Sequence, residues 1–137
     1  AFPTDYYLGL DVNPQAIQTA EQTHPGYEFQ TIGFCDEYPK TNAALLYTVL
    51  LHIDDETIKP MLERICRSSD VILIAEILGK ERWRRTGNPP VFNRDFQDYI
   101  QLMMQQGYYL SSCIEKPYEH YPETNISFLK FQRMPGK

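Results

Sequence analysis

Residues 42–76 read NAALLYTVLLHIDDETIKPMLERICRSSDVILIAE, and the changes of period within them decide the fold. Ala43 to Leu51 is a nearly continuous apolar run, the pattern of a central strand covered on both faces. Ile58, Met61, Leu62, Ile65 and Cys66 then recur at i, i+3, i+4, i+7 and i+8, one apolar stripe on a helix. Pro60 fits if that helix starts near Thr57, and otherwise predicts a kink. Val71–Ala75 is a second fully apolar strand, and it ends at Glu76. A buried strand, an amphipathic helix and another buried strand make a layered α/β unit.

The flanks continue the alternation. Tyr6–Leu10 reads as a short buried strand ending in a single acidic residue, Asp11. Asn13 is a good N-cap, and Pro14 suits the first helical position, where its missing N–H costs nothing. That helix turns Ala16, Ile17 and Ala20 inward and stops at His24-Pro25-Gly26. Tyr27–Ile32 alternates, with Tyr27, Phe29 and Thr31 opposite Glu28 and Gln30, as a strand near a sheet edge does. Downstream, Lys80–Phe92 is a loop rich in charge, glycine and proline. Asn93 caps a helix bearing Phe96, Tyr99, Ile100, Met103 and Met104, and Gly107 ends it. Tyr108–Arg133 reads as two strands around a turn. This order predicts a mostly parallel sheet flanked by helices, with an antiparallel C-terminal pair, in a single domain over 1–137.

Composition narrows the function classes. With 42% hydrophobic and 23% charged residues the chain is an ordinary globular protein. It has no apolar run near the ~20 residues of a membrane-spanning helix and no signal-peptide pattern. The net charge of −5 argues against general nucleic-acid or anionic-membrane binding. Cys35, Cys66 and Cys113 lie far apart without a CxxC pair, so neither a disulfide framework nor a metal site is indicated. They read as plain thiols in a reducing, cytoplasmic compartment.

GLDVNPQAIQTA, NAALLYTVLLHI, ILIAEILG and FQDYIQLMMQQGYYL, in this order and spacing, resemble the class I S-adenosylmethionine-dependent methyltransferases from their second strand onward. They match, in turn, the family's second strand with its acidic end, its fourth strand, its fifth strand, and its last helix leading through a glycine into the sixth strand. The resemblance implies a Rossmann-like fold truncated at its N-terminus, S-adenosylmethionine as cofactor, and methyl transfer to a small or medium-sized acceptor.

It also implies site residues. Asp11, with Val12 beside it, stands where the family binds the adenosine ribose. In open α/β sheets ligands sit outside the carboxyl ends of the strands, and a carboxylate there accepts bonds from both ribose hydroxyls. The bland reading is an acid favourable to the dipole of the helix at Asn13, worth ~0.3–1 kcal/mol. The family's G-D-A-x-x-L-P loop beside the adenine appears as G-F-C-D-E-Y-P. There Phe34 could stack on the adenine, Cys35 follows, and Asp36 could take the missing acid's place, although Phe34 and Cys35 suit packing equally. Thr48, with Tyr47 and Val49, would line the methionine end of the cofactor, and Asn42 replaces the usual Asp. His52 matches the family's V-L-x-H-I histidine, or is a helix-start histidine held by backbone groups. The loop Lys80–Arg85 offers Trp83, Arg84 and Arg85 to an anionic or aromatic acceptor, or is simply solvated. No general base is identified; Glu76 and His52 are candidates on position alone.

The family's first strand and its G-x-G-x-G turn have no counterpart in the 137 residues. That strand lies between the second and fourth in the family, so Tyr6–Leu10 and Ala43–Leu51 would each show an open edge. The two strands pair directly, a second copy supplies the missing strand, or a preceding segment does. A degenerate, non-catalytic binding or assembly module is the alternative to an enzyme.

Overall fold

The computed structural model describes residues 6–33, 36–79, 90–119 and 122–136. The chain forms two compact units, Ala1–Asp36 and Glu37–Lys137.

In the first unit β1 (Leu8–Asp11) runs parallel to β2 (Glu28–Thr31), with α1 (Pro14–Thr23) between them in sequence. The Asn13 side chain accepts the Gln15 N–H at 2.9 Å, so the cap forms as its residue type predicts. Ile17 is buried, with Ala16 and Ala20 half-buried on the same face. Gly26 turns the chain at φ 102°, a left-handed value open to glycine, and β2 follows. The β1–β2 register begins with Leu8 opposite Glu28, and Tyr6 is 84% exposed. The strand expected from Tyr6 therefore starts at Leu8. Inside it, the Phe29 ring occupies the space of a Gly9 side chain: a Cβ there would lie 2.4 Å from Phe29 Cδ1.

The second unit has β3 (Ala43–Tyr47), α2 (Asp55–Ser68), β4 (Val71–Glu76), α3 (Phe96–Gln105), β5 (Tyr108–Pro117) and β6 (Asn125–Arg133). Its sheet order is β3-β4-β6-β5: β3 and β4 are parallel, and β6 is antiparallel to both neighbours. One sheet face carries Leu46, Ile72, Ile74, Leu129 and Phe131 into a core with Ile58, Leu62 and Ile65 of α2 and Tyr99 and Met103 of α3. The whole expected α2 stripe is buried.

Three boundaries in the second unit also differ from the sequence reading. The run Ala43–Leu51 is not one strand: β3 stops at Tyr47, Thr48 turns at φ 50°, and Leu50–His52 form a 3-10 turn. Nor is β3 covered on both faces. It pairs only with β4 among the described residues, and Leu45 and Tyr47 are 52% and 41% exposed. Apolarity over Ala43–Leu51 thus has two causes, strand formation first and a buried turn after it. Next, α2 begins before Thr57, because the Asp54 carboxylate accepts the Thr57 N–H at 2.7 Å. Pro60 consequently lies inside the helix. Finally, α3 is capped by Asp95 rather than Asn93, through a reciprocal capping box with Asp98.

Candidate functional site

The carboxyl ends of the parallel strands carry the candidate residues. In the first unit, β1 ends at Asp11, whose side chain is exposed. Its Oδ1 accepts the Asn13 N–H at 2.9 Å, and its backbone carbonyl accepts the Ile32 N–H at 2.9 Å. One bond fixes the carboxylate's direction, and exposure leaves it exchangeable contacts with water that hydroxyls can replace. Val12 beside it is 42% exposed. At the end of β2 the chain folds back: Asp36 Oδ2 accepts the Gly33 N–H at 2.7 Å. Asp36 therefore uses one oxygen to close its own loop. Phe34 and Cys35 lie outside the described residues, as do Trp83, Arg84, Arg85 and His120.

In the second unit, Thr48 follows β3 in a left-handed conformation, at a cost of about 1–2 kcal/mol for a residue with a Cβ. Its N–H donates to Ala75 O at 2.8 Å, which ties it to the end of β4. Tyr47 tilts against Phe128 with ring centroids 6.3 Å apart. His52 is half-buried, with Nδ1 2.9 Å from Pro90 O, so a backbone carbonyl holds the ring.

Beneath this turn lie two charged side chains. Glu76, at the end of β4, is fully buried; its Oε1 accepts the Leu50 N–H at 2.9 Å, and the Leu51 N–H also points to it. Burial pushes its carboxyl up to about 8, against the opposing pull of those amides and of Arg94. Its Oε2 has no hydrogen-bond partner among the described residues. Arg94 is 6% exposed, and it donates from Nη1 to Leu50 O at 2.8 Å and from Nη2 to Ile53 O at 2.6 Å. Its Nη2 also lies 2.9 Å from Asp55 Oδ1. The residue pattern singled out Glu76 only by position and missed Arg94. The available signal was a lone Arg between a proline-rich loop and an apolar helix.

The fit to S-adenosylmethionine can be judged on these groups. An exposed, pre-oriented carboxylate at a parallel strand end suits a ribose diol. A left-handed residue after β3 brings backbone to the strand mouth. The Asp11 carboxylate therefore fits the ribose portion of the group. Among the described residues no cluster of His, Cys, Asp or Glu could hold a metal ion, and no helix is long and apolar enough to cross a membrane.

No protein-family model matches the sequence, and no curated protein matches it. Solved structures do. An S-adenosylmethionine-dependent methyltransferase from Methanosarcina mazei superposes with TM-score 0.77 at 12% identity, over 93% of this chain and 81% of that one. Magnesium protoporphyrin IX methyltransferase from Synechocystis, with bound S-adenosylmethionine, gives 0.69 at 15% identity, over 93% of this chain and 59% of that one. The fold is that of the class I S-adenosylmethionine-dependent methyltransferases. The methyltransferase fold also serves other chemistry: a protein described as a pericyclic reaction enzyme gives 0.73 at 17% identity, over 93% of this chain and 36% of that one. This chain thus spans less than two thirds of two of these three structures. The β3-β4-β6-β5 order, with β6 antiparallel to both neighbours, contains the antiparallel C-terminal pair that the order of elements predicts.

Proposed function

We propose that this chain forms most of a single methyltransferase domain that binds S-adenosylmethionine and transfers its methyl group to a small or medium-sized acceptor. The observation that carries the reading is Asp11, an exposed carboxylate at the end of a parallel strand, aimed by the Asn13 N–H. Asp11 takes the ribose hydroxyls, and Val12 packs beside them. Phe34, Cys35 and Asp36 flank the adenine, Asp36 through the oxygen not engaged by Gly33. Thr48 faces the methionine end, and Trp83, Arg84 and Arg85 meet the acceptor. The bound cofactor supplies a methyl group on a sulfonium sulfur, and displacement there is accelerated chiefly by holding the acceptor in line. No side chain is assigned as general base.

The same reading has a further strand cover the open edge of β3, supplied by a preceding segment or a second copy. The pairing of β3 with β4 alone among the described residues supports it. A reducing, cytoplasmic setting accords with the free thiols of Cys66 and Cys113.

The second reading, a non-catalytic binding module of the same fold, is favoured by Gly9. This glycine makes room for Phe29 and so serves packing within the unit rather than close approach of a ligand. Calorimetry with S-adenosylmethionine and with S-adenosylhomocysteine, on the chain and on Asp11→Ala, separates the two. Binding in the micromolar range that weakens about tenfold or more in the variant supports the first reading. No heat at millimolar ligand from the folded chain supports the second.

A further inference from the structure

The residues between β3 and α2 have little regular structure of their own. They comprise the left-handed Thr48 and a three-residue 3-10 turn, and their backbone is bonded on every side. Thr48 N–H goes to Ala75, Leu50 N–H to Glu76, and Leu50 C=O to Arg94. Leu51 C=O accepts from Phe92 N–H at 2.7 Å, and Ile53 C=O accepts from Arg94. Two of these partners are the buried side chains of Glu76 and Arg94, both bonded to the turn's backbone. Burying a polar or charged group is costly, and apolar replacements of similar volume are commonly as stable or more so. Stability alone therefore gives a weak account of Glu76 and Arg94. What they determine is where the backbone of residues 48–53 sits at the mouth of β3.

We propose that Glu76 and Arg94 are positioning residues, which act on the ligand site through the backbone of residues 48–53. This rests on the functional reading above, in which Thr48 faces the cofactor. Glu76 holds the turn from the sheet through the Leu50 amide, and Arg94 holds it from the segment before α3 through the Leu50 and Ile53 carbonyls. The Tyr99 phenol of α3 faces the same pair. Two opposed clamps on one turn leave it little freedom to swing, so loss of either one loosens Thr48 without removing any atom that touches ligand.

The test compares wild type, Arg94→Ala, Arg94→Lys and Glu76→Gln with Arg133→Ala. Arg133 is a comparable clamp on Asp70 and the Cys66 carbonyl, before β4 rather than after it. Hydrogen exchange of residues 48–53 is read without ligand, and S-adenosylhomocysteine affinity by calorimetry, each beside the melting temperature. Arg94→Ala is expected to speed exchange there and weaken affinity, each by about tenfold. Arg94→Lys recovers part of both, and Arg133→Ala leaves both within about twofold although it melts lower. Glu76→Gln, which retains an acceptor for Leu50, carries the test with Arg94→Lys if Arg94→Ala does not fold. Equal effects of the Arg94 and Arg133 variants on exchange and affinity overturn the proposal. Failure of wild type to bind overturns the functional reading instead, and the exchange measurement still decides whether the two side chains govern the turn.

Discussion

At the scale of the residue, Glu76 and Thr48 carry the sharpest expectations. The folded Glu76 carboxyl lies near 8, against 4.5 unperturbed, principally through burial. Raising an acid's folded value makes its stabilising contribution complete below the unfolded value, and that contribution is lost as pH climbs through the folded one. Chemical denaturation is therefore expected to show stability falling between about pH 5 and 9, by an amount on the order of a few kcal/mol. Glu76→Gln should flatten that slope; an unchanged slope would mean that another group sets it. Thr48→Gly relieves about 1–2 kcal/mol of left-handed strain and adds about 0.5–1 kcal/mol of chain entropy to lose. A net gain near ~0.5 kcal/mol follows, measurable by urea titration. Neither residue's role was legible from its neighbours in sequence. Glu76 read as the end of a strand and Thr48 as the middle of one, because burial depth and φ depend on what packs around them.

At the scale of the element, α2 was legible because an apolar stripe has only one way to be buried, whereas α3 buries Tyr99 and Met103 of its apolar set but leaves Phe96 37% and Met104 55% exposed. Leu62, fully buried in the stripe, should lose about 2–5 kcal/mol of unfolding free energy on change to alanine. Their termini were less legible. Asp54 and Asp95 cap through a single carboxylate each, and the sequence around Asn93 and Asp95 offers more than one capping residue. Asp95→Ala is expected to cost about 1 kcal/mol, and Asn93→Ala under about 0.5 kcal/mol, by thermal or urea unfolding. Equal costs would return the cap to Asn93. The strand β3 is shorter than its apolar run for a similar reason. Leu50 and Leu51 are as apolar as Leu45 and Leu46, but their burial comes from a turn pinned by Glu76 and Arg94 rather than from a sheet.

At the scale of the whole molecule, the two units differ in what holds them. The core cluster lies wholly within residues 37–137, whereas Ile17 is the buried apolar side chain of the first unit among the described residues. A two-stranded parallel pair with one helix is marginal in water. Amide exchange is accordingly expected to be at least about a hundredfold faster in β1 and β2 than in β4. Cofactor binding, if Asp11 serves as proposed, should slow exchange in β1.

The alternation of periods, the helix stripes, the Asn13 cap and the acid at the end of β1 were all determined by the sequence itself. Each depends on contacts within a few residues or on one apolar face finding cover. Tertiary structure alone decided where the Ala43–Leu51 run stops being a strand, that Arg94 lies buried against the turn, and that Glu76 is fully buried at the end of β4. Those outcomes arise from partners some 26 to 44 positions away. Local pattern carries no record of such partners, because a backbone carbonyl or amide is the same group whatever side chain it bears.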